Sequence, residues 1–272
     1  MQILKRLTDF YIFSNIHVAV AMFSFVKISL LAFEINENTT AFFVFFSTII
    51  SYNFIRTYKL NEIDLYSSAW IREHKKGLIL LNLVSAFILL YLTFQIELNS
   101  VLVLIPFIAT TFFYIVPISE DKKNLRSVAG LKLFLIAVTG AGVTVLFPLS
   151  HHDIDFGNNV WLLFLQRFLF IIANTIPFDI RDMNDDHIHL KTLPQFYGIN
   201  LSKIIGTVSL IFFFLLEFLK EPVEEISIVI SAILSVITFI FLIFTKTDQS
   251  RYYTMFWVES LPILWFLMVM YL

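Results

Sequence analysis

The sequence has 272 residues, of which 58% are hydrophobic and only 15% are charged. The mean hydropathy of +0.81, with a charged fraction well below the roughly 25% of soluble domains, excludes an ordinary soluble protein and predicts an integral membrane protein. The net charge is −2 and the basic residues fall in a few short stretches, so we expect no nucleic-acid partner. There is no cysteine, which excludes disulfides and thiolate metal sites.

Nine apolar segments approach the length of about 20 residues with which a helix crosses a bilayer. In chain order they are 10–33, 40–58, 77–96, 100–117, 128–148, 160–178, 204–219, 225–244 and 252–272. The loops between them are too short for a soluble domain. The sequence therefore predicts an all-α fold, with residues 1–272 as a single polytopic membrane domain of about nine transmembrane helices.

The basic residues predict the orientation of these segments. Of the 19 lysines and arginines, 15 lie at the N-terminus or in the polar stretches around the loops that follow the second, fourth, sixth and eighth segments, and one, Lys220, lies in the opposite loops. Basic residues concentrate on the cytoplasmic side of membrane proteins. We expect a cytoplasmic N-terminus and an external C-terminus, in a cell membrane such as the bacterial inner membrane.

A polar stretch rich in aspartate follows the sixth segment: NTIPFDIRDMNDDHIHLKTLPQFYG, residues 174–198. If the helix continues past Phe178, then Asp179, Asp182 and Asp186 lie within roughly 60° of one another on one face. Carboxylates so close repel unless a cation lies between them, and Mg²⁺ typically joins carboxylates to substrate phosphates. These three aspartates are the predicted catalytic and metal-binding residues, and a solvated acidic loop is the alternative.

Basic residues near this stretch are predicted to bind a diphosphate. The second segment runs in the same direction as the sixth and also ends in a polar stretch, residues 51–64, which suggests a repeat with a site between two halves. The two stretches are expected to face each other across a central cavity open to the cytoplasm. Charge-assisted hydrogen bonds to a diphosphate are predicted for Arg56, Lys59, Lys122, Lys123, Arg126, Lys132, Arg181 and Lys191. Asn53 is predicted to contact the substrate as well. For Lys132, snorkelling to the interface is an equal alternative.

The segment DIRDMNDD followed by LKTLPQFYG resembles the second aspartate-rich motif of the UbiA superfamily of intramembrane prenyltransferases. In that motif D-x-x-x-D is followed by a K-T-L/I-P segment and a glycine. Asp182 and Asp186 match the two aspartates, and Asp179 precedes them. Lys191, Thr192, Leu193, Pro194 and Gly198 match the tail. The nine-helix topology is also that of the family, so the resemblance covers the whole chain and implies a UbiA-type helical bundle.

The resemblance implies the family reaction. A prenyl diphosphate lies with its diphosphate on Mg²⁺ between two acidic motifs, and its ionisation gives an allylic carbocation. The cation then alkylates a hydrophobic acceptor, usually an aromatic ring such as a quinone precursor. The implied cofactor is Mg²⁺, and the implied partners are a prenyl diphosphate, the acceptor and membrane lipid.

The first motif of the family, N-x-x-x-D-x-x-x-D, is altered here. Its register reads Asn53, Thr57 and Asn61, so the asparagine is present and both aspartates are missing. Asp64 lies three residues further on. Three interpretations remain open: one metal bound mainly by the second motif, with Asn53 as the contribution of the first half; Asp64 as a substitute metal ligand; or a relative that binds an isoprenoid or lipid diphosphate without catalysis. A transporter or structural membrane protein is a further alternative.

Arg56 and Lys59 lie within this altered motif. They are hypothesised to hold the diphosphate directly where the family would use a second Mg²⁺, and cytoplasmic anchoring of the helix is the alternative. Two further charges, Arg167 and Glu259, fall inside apolar segments. For these we expect a structural role, in an ion pair with each other or in contacts with backbone carbonyls. The glycine-containing segment 139–144 is expected to allow close helix packing.

Overall fold

A computed structural model describes residues 2–58, 65–115, 131–184 and 192–272. These residues form helices and contain no strand, so the all-α prediction is confirmed. The α-helices are α1 (Gln2–Phe13), α2 (Ile16–Leu31), α3 (Thr39–Tyr58), α4 (Leu65–Glu73), α5 (Lys75–Thr93), α6 (Leu98–Ile115), α7 (Leu131–Ala141), α8 (Phe147–His151), α9 (Asn158–Arg181), α10 (Leu193–Tyr197), α11 (Ile199–Leu215), α12 (Glu225–Phe244) and α13 (Leu261–Tyr271).

Four short π and 3₁₀ turns adjoin these helices. A π turn (Gly142–Leu146) joins α7 to α8, and another (Tyr253–Val258) precedes α13. A 3₁₀ turn (Asp182–Asn184) follows α9, and a second (Leu216–Leu219) follows α11. The π turns matter for the site because such irregularities change the direction of side chains within a helix and often occur at functional positions.

The described helices account for each of the nine predicted segments in sequence. By length and composition, six of the described helices could each cross a membrane, and a seventh span results if the bent pair α1 and α2 is counted as one. A shorter apolar helix covers Leu98–Phe112. The count of nine spans and the cytoplasmic side of the N-terminus remain predictions.

The first predicted segment is not one straight helix. α1 ends at Phe13 and α2 begins at Ile16, with an angle of 56° between the two. Asn15 lies at the break with φ 66°, in the left-handed region, which asparagine tolerates better than most residues. The apolar pattern of the sequence gave no indication of this break. The break turns polar groups of the chain towards the interior of the bundle.

Helix α9 lies at the centre of the bundle and packs against α7, α11 and α12. Its Phe170 is fully buried and has its ring centroid 5.3 Å from that of Trp265 and 5.6 Å from that of Phe213. Aromatic pairs at such distances add about 0.5–1.5 kcal/mol beyond the area they bury. These aromatic contacts therefore join α13 to α9 and α11.

The fully buried Arg167 of α9 contacts the backbone rather than Glu259. Its Nη1 donates to the Phe25 carbonyl oxygen at 2.7 Å and to the Thr144 hydroxyl at 3.1 Å, and Nη2 donates to the Ser29 hydroxyl at 3.3 Å. The guanidinium carbon lies 4.2 Å from the centre of the Phe25 ring. Of the two expected contacts for this arginine, the structure has the one with a backbone carbonyl.

At the end of the bundle where α3 begins, Glu37 caps that helix. The backbone amide of Thr39 and the hydroxyl of Thr40 donate to its carboxylate, and Nε2 of His152 lies 3.3 Å from it. Burial raises the pKa of Glu37, but these hydrogen bonds stabilise the ionised form more, so the pKa lies below its ordinary value. Lys27 donates to the Glu37 backbone oxygen at 2.6 Å, which ties α2 to the start of α3.

Gly142, within the glycine-containing segment, allows α6 to approach the π turn. A Cβ placed there would lie 2.0 Å from Cζ of Phe107 and within 2.5 Å of two further ring atoms. We expect Gly142→Ala to lower the free energy of unfolding by about 1–3 kcal/mol, because an added methyl in a packed core forces side chains from their positions.

Thermal unfolding in detergent micelles tests this expectation. Gly157→Ala is the matched control, since no atom lies within 4 Å of a Cβ at that position. Equal melting temperatures for the two variants would contradict the role given to Gly142.

Candidate active site

Polar and charged side chains from several helices meet at one end of the bundle. This end contains the last turns of α3 and α9, the first turn of α7, the break between α1 and α2, and the π turn before α13. Hydrogen bonds connect α9 with α7, α3 with the break, and α9 with the π turn. Every described residue that the sequence predicts as a metal ligand or diphosphate contact lies here.

Asp179 forms a buried ion pair with Lys132 of α7. Nζ of Lys132 donates to Oδ1 of Asp179 at 2.6 Å, and their side chains are 12% and 2% exposed. The aspartate lies in the last turns of α9, as its position after the apolar segment predicts. The partner is separated from it by 47 residues, so only the packing of α7 on α9 brings the two together.

Asp182 follows the last residue of helix α9 and is held by the arginine before it. Arg181 donates from Nε to Oδ1 at 2.6 Å and from Nη2 to Oδ2 at 2.8 Å, a two-point contact with one carboxylate. Nη1 of Arg181 also donates to the hydroxyl of Thr254, a fully buried residue of the π turn. Helix α9 continues past Phe178 and its 3₁₀ turn runs to Asn184, so Asp179 and Asp182 lie about one turn apart.

Asn53, the asparagine of the altered first motif, belongs to a row of three amides. Nδ2 of Asn15 donates to Oδ1 of Asn53 at 2.7 Å, and Nδ2 of Asn53 donates to Oδ1 of Asn82 at 3.0 Å. The hydroxyl of Thr57 donates to the backbone oxygen of Asn53 at 2.8 Å. The described part of the first motif therefore offers amide and hydroxyl oxygens, and its asparagine joins the helix break to α3 and α5.

Arg56 lies one turn after the amide row, at the end of α3. Its Nη1 donates to the backbone oxygen of Phe13 at 2.8 Å, which is one of the carbonyl groups released at the end of α1. The break in the first apolar segment thus anchors a basic residue of the first motif. This contact turns the side chain towards the interior of the bundle.

Glu259 is a residue of this site that the sequence did not place there. It follows the π turn before α13, and its backbone amide donates to the backbone oxygen of Thr254, the residue whose hydroxyl accepts from Arg181. Its position inside an apolar segment was the available signal, because intramembrane charges are rare and usually functional.

The π turn and Tyr252, the residue before it, contact the start of the chain. Nε2 of His17 lies 3.0 Å from the backbone oxygen of Phe256, and the hydroxyl of Tyr252 donates to the carboxylate of Asp9. Asp9 is buried although it lies in the first helix. These contacts hold α13 against α1 and α2 and so position Thr254 and Glu259.

Several predicted site residues lie outside the described ranges. These are the predicted diphosphate contacts Lys59, Lys122, Lys123, Arg126 and Lys191, and the predicted metal ligands Asp64 and Asp186. Their roles remain predictions from the sequence.

The chemistry of the described donors fits Mg²⁺, which prefers oxygen ligands and carboxylates above all. Asp179 and Asp182 supply two carboxylates from one helix, and each is held by a basic side chain, Lys132 or Arg181. No group of three or more His, Asp or Glu side chains suited to a metal occurs in the described part of the chain. A bound ion would therefore compete with the two basic side chains for these oxygens and would need additional ligands.

Comparison with known proteins shows which fold this chain has. No protein-family model matches this sequence, and no curated protein matches it. A solved structure, of a UbiA homolog from Archaeoglobus fulgidus bound to GPP and Mg²⁺, has a TM-score of 0.59 with this chain at 15% sequence identity. The similarity covers 96% of this chain and 94% of that one. At this level of identity the likeness shows the architecture alone, and the chain has a UbiA-like all-helical fold.

Proposed function

We propose that this chain is an integral membrane prenyltransferase that moves an isoprenyl group from a prenyl diphosphate to a hydrophobic acceptor with the help of Mg²⁺. The observation that carries the proposal is the buried Asp179–Lys132 pair beside Asp182, at one end of a UbiA-like bundle. The binding of GPP and Mg²⁺ by the homolog of similar fold supports it. An aromatic acceptor, such as a quinone precursor, is the acceptor that we propose.

The described residues suit the charge balance of this reaction. Asp179 and Asp182 would hold Mg²⁺, which supplies positive charge that stabilises a departing diphosphate. Arg56, Arg181 and Lys132 are at the same end and present N–H donors, which form strong, short contacts with phosphate oxygens. Transfer of Lys132 and Arg181 from the aspartates to the diphosphate would keep every charge paired.

The chemical step follows from this arrangement of charge. The bond between the allylic carbon and the diphosphate oxygen breaks, and its electron pair leaves with the diphosphate. Donors that face the leaving oxygen stabilise the negative charge that develops there, and such stabilisation commonly contributes more to catalysis than any other single effect. The acceptor carbon then bonds to the allylic cation, and the proton that this carbon loses passes to the released diphosphate. Apolar side chains of the bundle keep water from the cation.

A second candidate function is binding of a prenyl or lipid diphosphate without transfer. The observation that favours it is the first motif, in which Asn53 is engaged by two other asparagines and Thr57 by the backbone. The described residues of this motif, Asn53 and Thr57, supply no carboxylate to a metal. The two functions differ in one measurable product, because only transfer releases free diphosphate.

The experiment that tests the proposed function uses the purified full chain in detergent micelles. GPP binding is measured by calorimetry with Mg²⁺ and with a chelator, and released diphosphate is then measured with an extract of membrane lipids as the source of acceptor. Mg²⁺-dependent binding with release supports transfer, and binding without release supports the second candidate. Absence of GPP binding contradicts both.

Asp182→Ala is expected to weaken Mg²⁺-dependent GPP binding roughly tenfold or more. The substitution removes a carboxylate from the predicted metal ligands and takes away the partner of the Arg181 guanidinium group. Loss of a charge-assisted contact costs about 1.5–3 kcal/mol. Calorimetry on the variant gives the affinity.

The matched control for this substitution is Asp155→Ala. Asp155 is an exposed aspartate in the loop before α9, at the opposite end of the bundle. Equal affinity losses in the two variants would argue that Asp182 is an ordinary solvated residue.

A further inference from the structure

A narrow groove runs between α11 and α12 on the surface of the bundle. Its volume is about 290 Å³, close to the lower limit of the range for ligand sites, roughly 300–1,000 Å³. Ile211 and Val236, one from each helix, line the groove and are more than half exposed. The groove therefore opens outwards, towards the lipid that surrounds a membrane-spanning bundle. Its apolar walls also include Phe214, Ala232 and Phe239.

Two lysines lie at one end of this groove, and one of them joins the two helices. Lys203, near the start of α11, donates from Nζ to the backbone oxygen of Ile243 at 2.6 Å and to that of Thr245 at 2.9 Å. Lys246 follows Thr245 directly and is exposed. An ammonium group has three N–H donors, and these contacts of Lys203 use two of them. The third can bind an anion without the loss of either contact.

The charge at this end of the groove is positive. In the described turn after α12 the chain carries Lys246, Asp248 and Arg251, so that with Lys203 three basic residues accompany one acidic residue. Like charges repel one another, and an anion beside them offsets that repulsion. Basic groups between helices near a membrane surface attract anionic lipid headgroups.

The depth of the groove fits the acyl chain of a lipid. Along α11, Thr207 lies about 6 Å and Phe214 about 16 Å beyond Lys203, at a rise of about 1.5 Å per residue. One leaflet contributes about half of a hydrocarbon core that is about 30 Å thick. A lipid whose phosphate lies beside Lys203 therefore has its acyl chains at the depth of the groove.

We propose that this groove and its two lysines bind one anionic phospholipid. An acyl chain lies in the groove against Ile211, Phe214 and Val236, and the phosphate accepts from the ammonium groups of Lys203 and Lys246. The apolar walls bind the chain of any lipid, whereas the lysines select a headgroup with negative charge. This lipid site is separate from the proposed function, since the phospholipid is neither the prenyl diphosphate nor the acceptor of that reaction.

Lipid titration of the purified full chain in detergent micelles tests this site. Phosphatidylglycerol and phosphatidylcholine with the same acyl chains are added in turn, and native mass spectrometry counts the bound lipids and gives their affinities. We expect one phosphatidylglycerol to bind roughly 25-fold more tightly than phosphatidylcholine, because each lysine contributes about fivefold. Equal affinities of the two lipids overturn the proposal.

Lys246→Gln tests the contact with the headgroup. The substitution removes one charge from an exposed side chain, and we expect it to weaken phosphatidylglycerol binding about fivefold and to leave phosphatidylcholine binding unchanged. The matched control is Lys75→Gln, which neutralises an exposed lysine at the start of α5, a helix that packs on α3 and α4. Equal effects of the two substitutions overturn the proposal, since general positive charge then attracts the lipid.

A third substitution and a competitor test the contact with the acyl chain. Ala232→Phe places a ring in the groove and is expected to weaken binding of both lipids about tenfold or more, and its melting temperature without added lipid shows whether it folds. Millimolar inorganic phosphate should not displace phosphatidylglycerol, because it has no chain to occupy the groove. Displacement by phosphate, or full phosphatidylglycerol affinity in folded Ala232→Phe, shows a site for phosphate alone and overturns the proposal.

Discussion

Replacing Arg167 with alanine is expected to lower the free energy of unfolding by about 3–5 kcal/mol, as large-to-alanine substitutions in packed cores do. Arg167 is fully buried in the centre of α9 and is the largest of the fully buried side chains among the described residues. It donates to Phe25, Ser29 and Thr144, and so ties α9 to α2 and to the π turn after α7. Truncation leaves both a cavity and unsatisfied acceptors.

The two contributions can be separated with a second substitution. Arg167→Met keeps most of the side-chain volume and removes the charge and the donors. We therefore expect a loss in the free energy of unfolding between zero and that of Arg167→Ala. Buried charges replaced by apolar groups of similar volume are often tolerated. Melting temperatures in detergent micelles give the comparison, with Arg72→Ala on the exposed surface of α4 as the control. If Arg167→Ala and the control have the same melting temperature, the arginine does not hold these helices together.

Asp179→Ala is expected to weaken Mg²⁺-dependent GPP binding roughly 100-fold or more and to destabilise the protein as well. Asp179 is a predicted metal ligand, and the loss of a charge-assisted contact costs about 1.5–3 kcal/mol, where about 1.4 kcal/mol corresponds to a factor of ten in affinity. The stability loss arises because Lys132, whose side chain is 12% exposed, keeps its charge without Asp179.

The double variant Asp179→Ala, Lys132→Met shows which role the pair has. With the lysine charge removed, the melting temperature should return towards that of the unaltered protein, whereas Mg²⁺-dependent GPP binding should remain lost. Calorimetry and thermal unfolding on the same preparations measure both. Recovery of GPP binding together with stability would mean that Asp179 is a structural partner of Lys132 and no part of the binding site.

The local pattern of the sequence determined the membrane class and the helices. Runs of about 20 apolar residues predict helices because lipid leaves backbone groups no other partners. Each predicted segment contains helix in the described part of the chain. The position of Asp179 and Asp182 at the end of α9 was also readable from the sequence, because they follow directly on an apolar run and lie one helical turn apart.

Tertiary structure alone decided which charges meet. The pairing of Lys132 with Asp179, and the contact of Arg181 with Thr254, join residues of separate helices. Such pairings depend on the rotation and packing of whole helices. They also depend on two local irregularities, the left-handed Asn15 and the π turn Tyr253–Val258. The apolar pattern of the sequence continues unchanged through both irregularities, because lipid and protein core favour the same side chains. Only the folded chain therefore shows where its polar groups converge.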